Sequence, residues 1–157
     1  MLKNLRQPLC LLLIAVLFSC KKKEVEPTPD PCITILPTKV TFMFSGVQWC
    51  ANSTSFADLG VDMTIHGENQ DGSTFTMELD SLKPGNYQIR EDYNHFLFTT
   101  NMADAYESTD DNPGTLVITS HDSSSNVLKG TFNVTVRSPL SGSKAISSGS
   151  FTAVYTE

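Results

Sequence analysis

The 157-residue chain is short of most features that mark an enzyme, a nucleic-acid binder or a membrane-spanning protein. It has three histidines, His66, His95 and His121, and none stands in a His-Glu-x-x-His zinc helix. A Gly-x-Ser-x-Gly nucleophile elbow is absent. His66-Gly67-Glu68 mimics the opening of a zinc deaminase motif, but no paired cysteines follow it. The expectation is therefore a protein that is not an enzyme and carries no cofactor. Basic residues are scarce too. From residue 32 onward six bases face 14 acids, a net charge of −8 against −6 for the whole chain. Such a surface repels phosphate backbones, so no nucleic-acid partner is expected. The apolar run from Leu9 to Phe18 is half the length of about 20 residues needed to cross a bilayer. No apolar pattern at helical spacing is sustained anywhere.

What the chain does have begins with a recognisable order. Met1 to Gln7 carries Lys3 and Arg6 and no acid, the apolar run follows, and small residues close it. That is the layout of a secretory signal. The run ends Leu17-Phe18-Ser19-Cys20. This resembles the lipobox of bacterial lipoproteins, a cysteine after a small residue with Leu three places before it. The resemblance implies that residues 1–19 are a signal peptide, removed before Cys20, and that Cys20 is lipidated, with palmitate or a similar chain. Phe18 is bulkier than the residue usual there. The membrane partner would then be reached through a lipid anchor. Lys21, not Asp, follows the cysteine, which implies the outer membrane and leaves its periplasmic or surface face open. Lys21-Lys22-Lys23-Glu24 reads either as a surface-export signal or as a spacer touching headgroups. Glu24 to Pro31 holds three prolines and reads as an extended tether, so that residues 20–31 link the lipid to a single domain at 32–157.

Four cysteines are present. Cys10 leaves with the signal and Cys20 takes lipid. Cys32 and Cys50 remain, either a disulfide suited to an oxidising compartment or two buried thiols. Trp49, beside Cys50, reads as core.

Alternation is the main signal in the domain. Val61, Met63 and Ile65 alternate with polar residues, as do Phe75, Met77 and Leu79, and Asp71-Gly72 between them marks a hairpin. Further strands are expected at 40–44, 47–51, around Tyr87 and Ile89, and at 96–99, 115–121, 127–137 and 145–155. Asn101 to Glu107 reads as one helical turn in a loop. The fold class is all-β: an antiparallel β-sandwich or flattened barrel of about eight or nine short strands.

Several landmarks in order resemble a family of small Bacteroidota lipoproteins classed only as a domain of unknown function. They are Thr41-Phe42-Met43-Phe44-Ser45-Gly46-Val47-Gln48-Trp49, Leu82-Lys83-Pro84-Gly85-Asn86-Tyr87, Gly114 to Thr119 leading into Leu128 to Val134, and Ser148-Gly149-Ser150-Phe151. The resemblance implies an all-β fold and supplies no activity or site.

Two stretches look functional. Asp104, Glu107, Asp110 and Asp111 concentrate hard oxygen ligands that could hold Ca²⁺, though in no EF-hand spacing; a solvated acidic loop is the plainer reading. Tyr93, Phe96 and Tyr106, with Phe98 nearby, would form a stacking platform for sugars if exposed, although core packing is the commoner fate of such rings. Asp80-Ser81-Leu82 resembles the short O-glycosylation acceptor of exported Bacteroidota proteins. The sequence thus points to a lipid-anchored domain of the cell envelope, structural or binding another envelope protein. A glycan-binding module, or an unrecognised enzyme using His95, are the alternatives.

Overall fold

Eleven β-strands make up the regular structure of the computed structural model, which describes residues 32–156. The expectations for the signal, Cys20 and the tether lie outside the described residues. The strands are β1 (Lys39–Phe44), β2 (Val47–Cys50), β3 (Thr54–Leu59), β4 (Met63–Glu68), β5 (Thr74–Leu79) and β6 (Gly85–Ile89). They continue with β7 (Phe96–Thr99), β8 (Ala105–Ser108), β9 (Gly114–Asp122), β10 (Val127–Ser138) and β11 (Gly142–Thr156). The all-β class stands, with more strands than the eight or nine expected.

Alternation sets the faces. Met63, Ile65 and Gly67 of β4 and Phe75, Met77 and Leu79 of β5 point inward, while their neighbours point to water. The strand does not start at Val61, which is fully exposed in the turn before Met63. β3 and β8 are the added strands. The helical turn expected over 101–107 is instead a tight turn followed by β8. Thr100 N donates to Asp104 O and Ala103 N to Thr100 O, and β8 pairs with β7.

The sheet runs β2-β1-β11-β3-β4-β5-β7-β8-β10-β9-β6. β10 and β11 also pair with each other, so β3, β4, β5, β7, β8, β10 and β11 form a closed circuit. Two short contacts close it: Val136 and Arg137 against β8, and Tyr155 and Thr156 against β3. The β11–β3 contact is parallel, so the sheet is mixed and not purely antiparallel. The result is a flattened barrel. The long β10–β11 hairpin carries a register shift after Phe132, where Ser148 adopts φ +53° and its N–H donates to the Asn133 side chain. Before that bulge β10 pairs with β9, and after it with β8. A bulge bends a strand at such a corner.

The core is aromatic. Phe42 has the rings of Trp49, Phe75, Phe96, Phe98 and Phe132 within 4.7–6.0 Å, centroid to centroid. The Trp49 indole N–H is satisfied by Ser73 Oγ at 2.6 Å. Two glycines make room for rings across the hairpin. Gly130 opposes Phe151 and Gly149 opposes Phe132, and a Cβ on either would lie 2.5 Å from the partner ring. Cys32 and Cys50 are disulfide-bonded, with Cα atoms 5.5 Å apart. The bond ties the segment before β1 to the edge strand β2.

Candidate functional site

The chain leaves β5 at Leu79, turns through Pro84-Gly85 into β6, and returns to β7 through residues 90–95. Asp, Asn and Glu fill that second loop, and such residues favour turns by bonding their own backbone. Asn94 is its anchor. It has φ +48°, a left-handed conformation that asparagine tolerates better than most residues. It is only 5% exposed, yet its polar atoms are matched. The side-chain amide donates to Gln88 O at 2.9 Å, and the side-chain oxygen accepts from Asp80 N at 3.2 Å. The Asn94 backbone N–H reaches Asp80 Oδ2 at 3.3 Å.

Two further bonds fix the loop. Arg90 N donates to Tyr93 O at 2.8 Å, closing the turn. The buried Ser108 hydroxyl donates to Arg90 O at 2.7 Å and accepts from Phe96 N at 3.1 Å. Tyr93 stands at the tip, 62% exposed.

These elements enclose a cleft of about 420 Å³ lined by Asp80, Ser81, Tyr87, Gln88, Arg90, Tyr93 and Asn94. Tyr87 is held by its hydroxyl, which donates to Lys83 O at 2.7 Å and lies 3.1 Å from the Ser81 hydroxyl. Arg90 Nε donates to Gln88 Oε1 at 2.9 Å. The lining combines two phenol rings, one carboxylate, one guanidinium, two amides and the Ser81 hydroxyl. A second depression of about 390 Å³ lies near Glu91, Glu107 and Arg137, the last two being cross-strand partners.

Of the predicted stacking residues only Tyr93 is available. Phe96 is 0% and Tyr106 4% exposed, and Phe98 is buried as well. The platform of Tyr93, Phe96 and Tyr106 is therefore corrected: β7 and β8 point Phe96 and Tyr106 into the core, where Phe44 meets Tyr106 and Phe42 meets Phe96 edge to face. The acidic stretch is likewise divided. Asp104 accepts from the Ser138 hydroxyl, Glu107 faces outward on β8, and Asp110 and Asp111 sit in the exposed turn beyond it. Hydrogen bonds from the Ser138 and then the Ser141 hydroxyl hold the Asp104 carboxyl below its ordinary value. Among the described residues no three His, Cys, Asp or Glu side chains are placed to share a metal. The histidines are dispersed. His66 stacks on Phe56 and lies 3.0 Å from the Thr76 hydroxyl, and His121 meets the Tyr155 hydroxyl at 2.8 Å.

Gln88 and Arg90 were not singled out in the sequence, while Asp80 stood there only in the acceptor-like Asp80-Ser81-Leu82 and Tyr87 only as a strand residue. A signal existed: Tyr93 is the one phenol in Arg90-Glu91-Asp92-Tyr93-Asn94-His95, and a ring at the tip of a polar turn has nothing local to bury it.

Fold and cleft together define a small all-β domain with a tyrosine-lined cleft. The model of a domain of unknown function (DUF6252) matches residues 39–155, from the first residue of β1 almost to the end of β11, and the chain belongs to that family. No curated protein and no solved structure matches it.

Proposed function

We propose that this protein is a lipid-anchored, non-enzymatic domain of the bacterial cell envelope, held at the outer membrane by acyl chains on Cys20 and serving a structural or binding role. The observation that carries this reading is the order at the start of the chain: Lys3 and Arg6, the apolar run, then Leu17-Phe18-Ser19-Cys20. Its likeness to the lipobox, and that of the strand landmarks to small Bacteroidota lipoproteins, support the same reading. Each buried CH₂ of an acyl chain contributes about 0.8 kcal/mol, so several chains hold a domain that one would release. The proline-bearing stretch after Cys20 would keep an acidic domain clear of the lipid. A binding role is supported by the cleft, which gathers hydrogen-bonding side chains around Tyr87 and Tyr93.

The test is expression of the full chain in a bacterium that processes lipoproteins, fed labelled palmitate. The wild type should incorporate label and sediment with outer membranes. Cys20→Ala should lose both. An unlabelled wild type, or a Cys20→Ala chain that keeps its label, would overturn the anchor.

A further inference from the structure

We infer that the cleft beside Tyr93 is a binding site for a neutral sugar, one or two rings long, stacked on Tyr93 and hydrogen-bonded by Asp80, Gln88 and Arg90. The inference deepens the binding role proposed above by naming its ligand class.

A pyranose has an apolar C–H face and a rim of hydroxyls that both donate and accept. The cleft answers each part. Tyr93 offers an aromatic face to water, 62% exposed, on a loop that cannot sag because Asn94, Arg90 and Ser108 fix its backbone. Asp80 supplies an acceptor, Arg90 donors, and Gln88 a planar amide. Arg90 is oriented by its Nε bond to Gln88, which leaves its terminal amino groups to meet a ligand oxygen. Planar forked groups of this kind suit a pair of neighbouring oxygens.

Charge selects among sugars. Asp80 and Arg90 are opposite in sign, so the lining carries no net charge of its own. The domain around it is −8 from residue 32 onward, which disfavours uronates and sialylated or phosphorylated sugars. Size is consistent: about 420 Å³ lies toward the small end of ligand pockets, about 300–1,000 Å³. The loop is also rigidly built: the buried Asn94 side chain bonds Gln88 O and Asp80 N, which ties the residue after Tyr93 to both neighbouring segments of the cleft.

The experiment uses the full acylated chain in a polyoxyethylene detergent, which carries no sugar. It is applied to an array of neutral, uronate and sialylated oligosaccharides, and the strongest neutral hit is titrated by calorimetry. Neutral sugars should bind and acidic ones should not. Tyr93→Ala should weaken the hit at least about tenfold with the unfolding midpoint unchanged, because the ring is exposed, and Tyr93→Trp should restore it. A silent array, a preference for acidic sugars, or equal binding by Tyr93→Ala would overturn the inference. A chain that partitions with membranes but binds no sugar keeps its anchor and loses this site. A chain that binds sugar but takes no palmitate does the reverse.

Discussion

Around Phe42, five aromatic rings lie within 6.0 Å, and every one of them is buried. Beside Asn94 the Tyr93 ring faces water, and the order comes from hydrogen bonds to backbone. Both regions hold aromatics still, by opposite means. In the core, shape and the hydrophobic effect fix the ring, and the backbone follows. In the loop, polar atoms fix the backbone, and the ring is carried along without a packing reason of its own. An aromatic that stabilises nothing where it stands is available for recognition.

The largest expected effect breaks the core side of this comparison. Phe42→Ala removes the ring at the centre of the cluster and should cost about 3–5 kcal/mol, read from urea unfolding. Tyr93→Ala, an aromatic truncation of similar size, should stay within about 0.5 kcal/mol because its ring is exposed. If the two costs were alike, the contrast between packed and presented rings would be wrong.

Asn94 sharpens the loop side. Asn94→Ala removes the side-chain partners of Gln88 O and Asp80 N and leaves at φ +48° a residue that tolerates it less well than asparagine. An unpaired polar group costs about 1–3 kcal/mol when buried, and because these bonds are only part-buried the lower end applies; alanine's poorer tolerance of the left-handed conformation adds to that. Asn94→Gly loses the same bonds but accepts the dihedral, so it should be the milder variant by about 1 kcal/mol. Equal costs for the two would mean that the dihedral carries no strain.

The same contrast explains what could be read from the sequence. The strands that fill the core announce themselves, since Phe75-Met77-Leu79 or Phe132-Val134-Val136 can be buried on one face only. β3 does not. Its buried residue is Ala57, while Phe56 points outward and stacks on His66 at 5.0 Å. The large apolar residue thus marks the wrong face. β8 is hidden for a related reason: Tyr106 and Ser108 are its inward residues, and Ser108 is buried because Arg90 O and Phe96 N need its hydroxyl. That need exists only once strands far apart in sequence have met. The parallel touch of Tyr155 and Thr156 on β3 is equally non-local. The cleft was half legible. Tyr93 was among the rings offered for stacking, but Phe96 and Tyr106 looked equivalent to it. Only pairing through β7 and β8 separates a presented ring from a packed one.

The smallest effect concerns a third turn, and it tests whether burial sets the worth of a polar lock. Asp122 begins the β9–β10 turn, which also contains a left-handed residue, Asn126 at φ +54°. Its carboxylate accepts from the Ser124 hydroxyl at 2.7 Å and the Ser125 hydroxyl at 2.8 Å, with Ser124 N at 3.0 Å. Those bonds, the Ser124 hydroxyl foremost and the Ser125 hydroxyl next, lower its pKa from the ordinary 3.8 to about 2. A carboxyl held low in the folded state stabilises fully above its unfolded pKa. The unfolded chain takes up the proton first, so that contribution fades as the pH falls from about 4 to about 2. Unlike Asn94, this lock lies wholly in water, where solvent replaces a lost bond and screens the charge. Asp122→Asn should therefore shift the urea midpoint far less than Asn94→Ala at neutral pH. The gap between Asp122→Asn and wild type should be constant above about pH 5 and close by about pH 2. A gap that stays open at pH 2 would show that the serine hydroxyls favour the turn through their geometry alone, without preferring the ionised carboxylate.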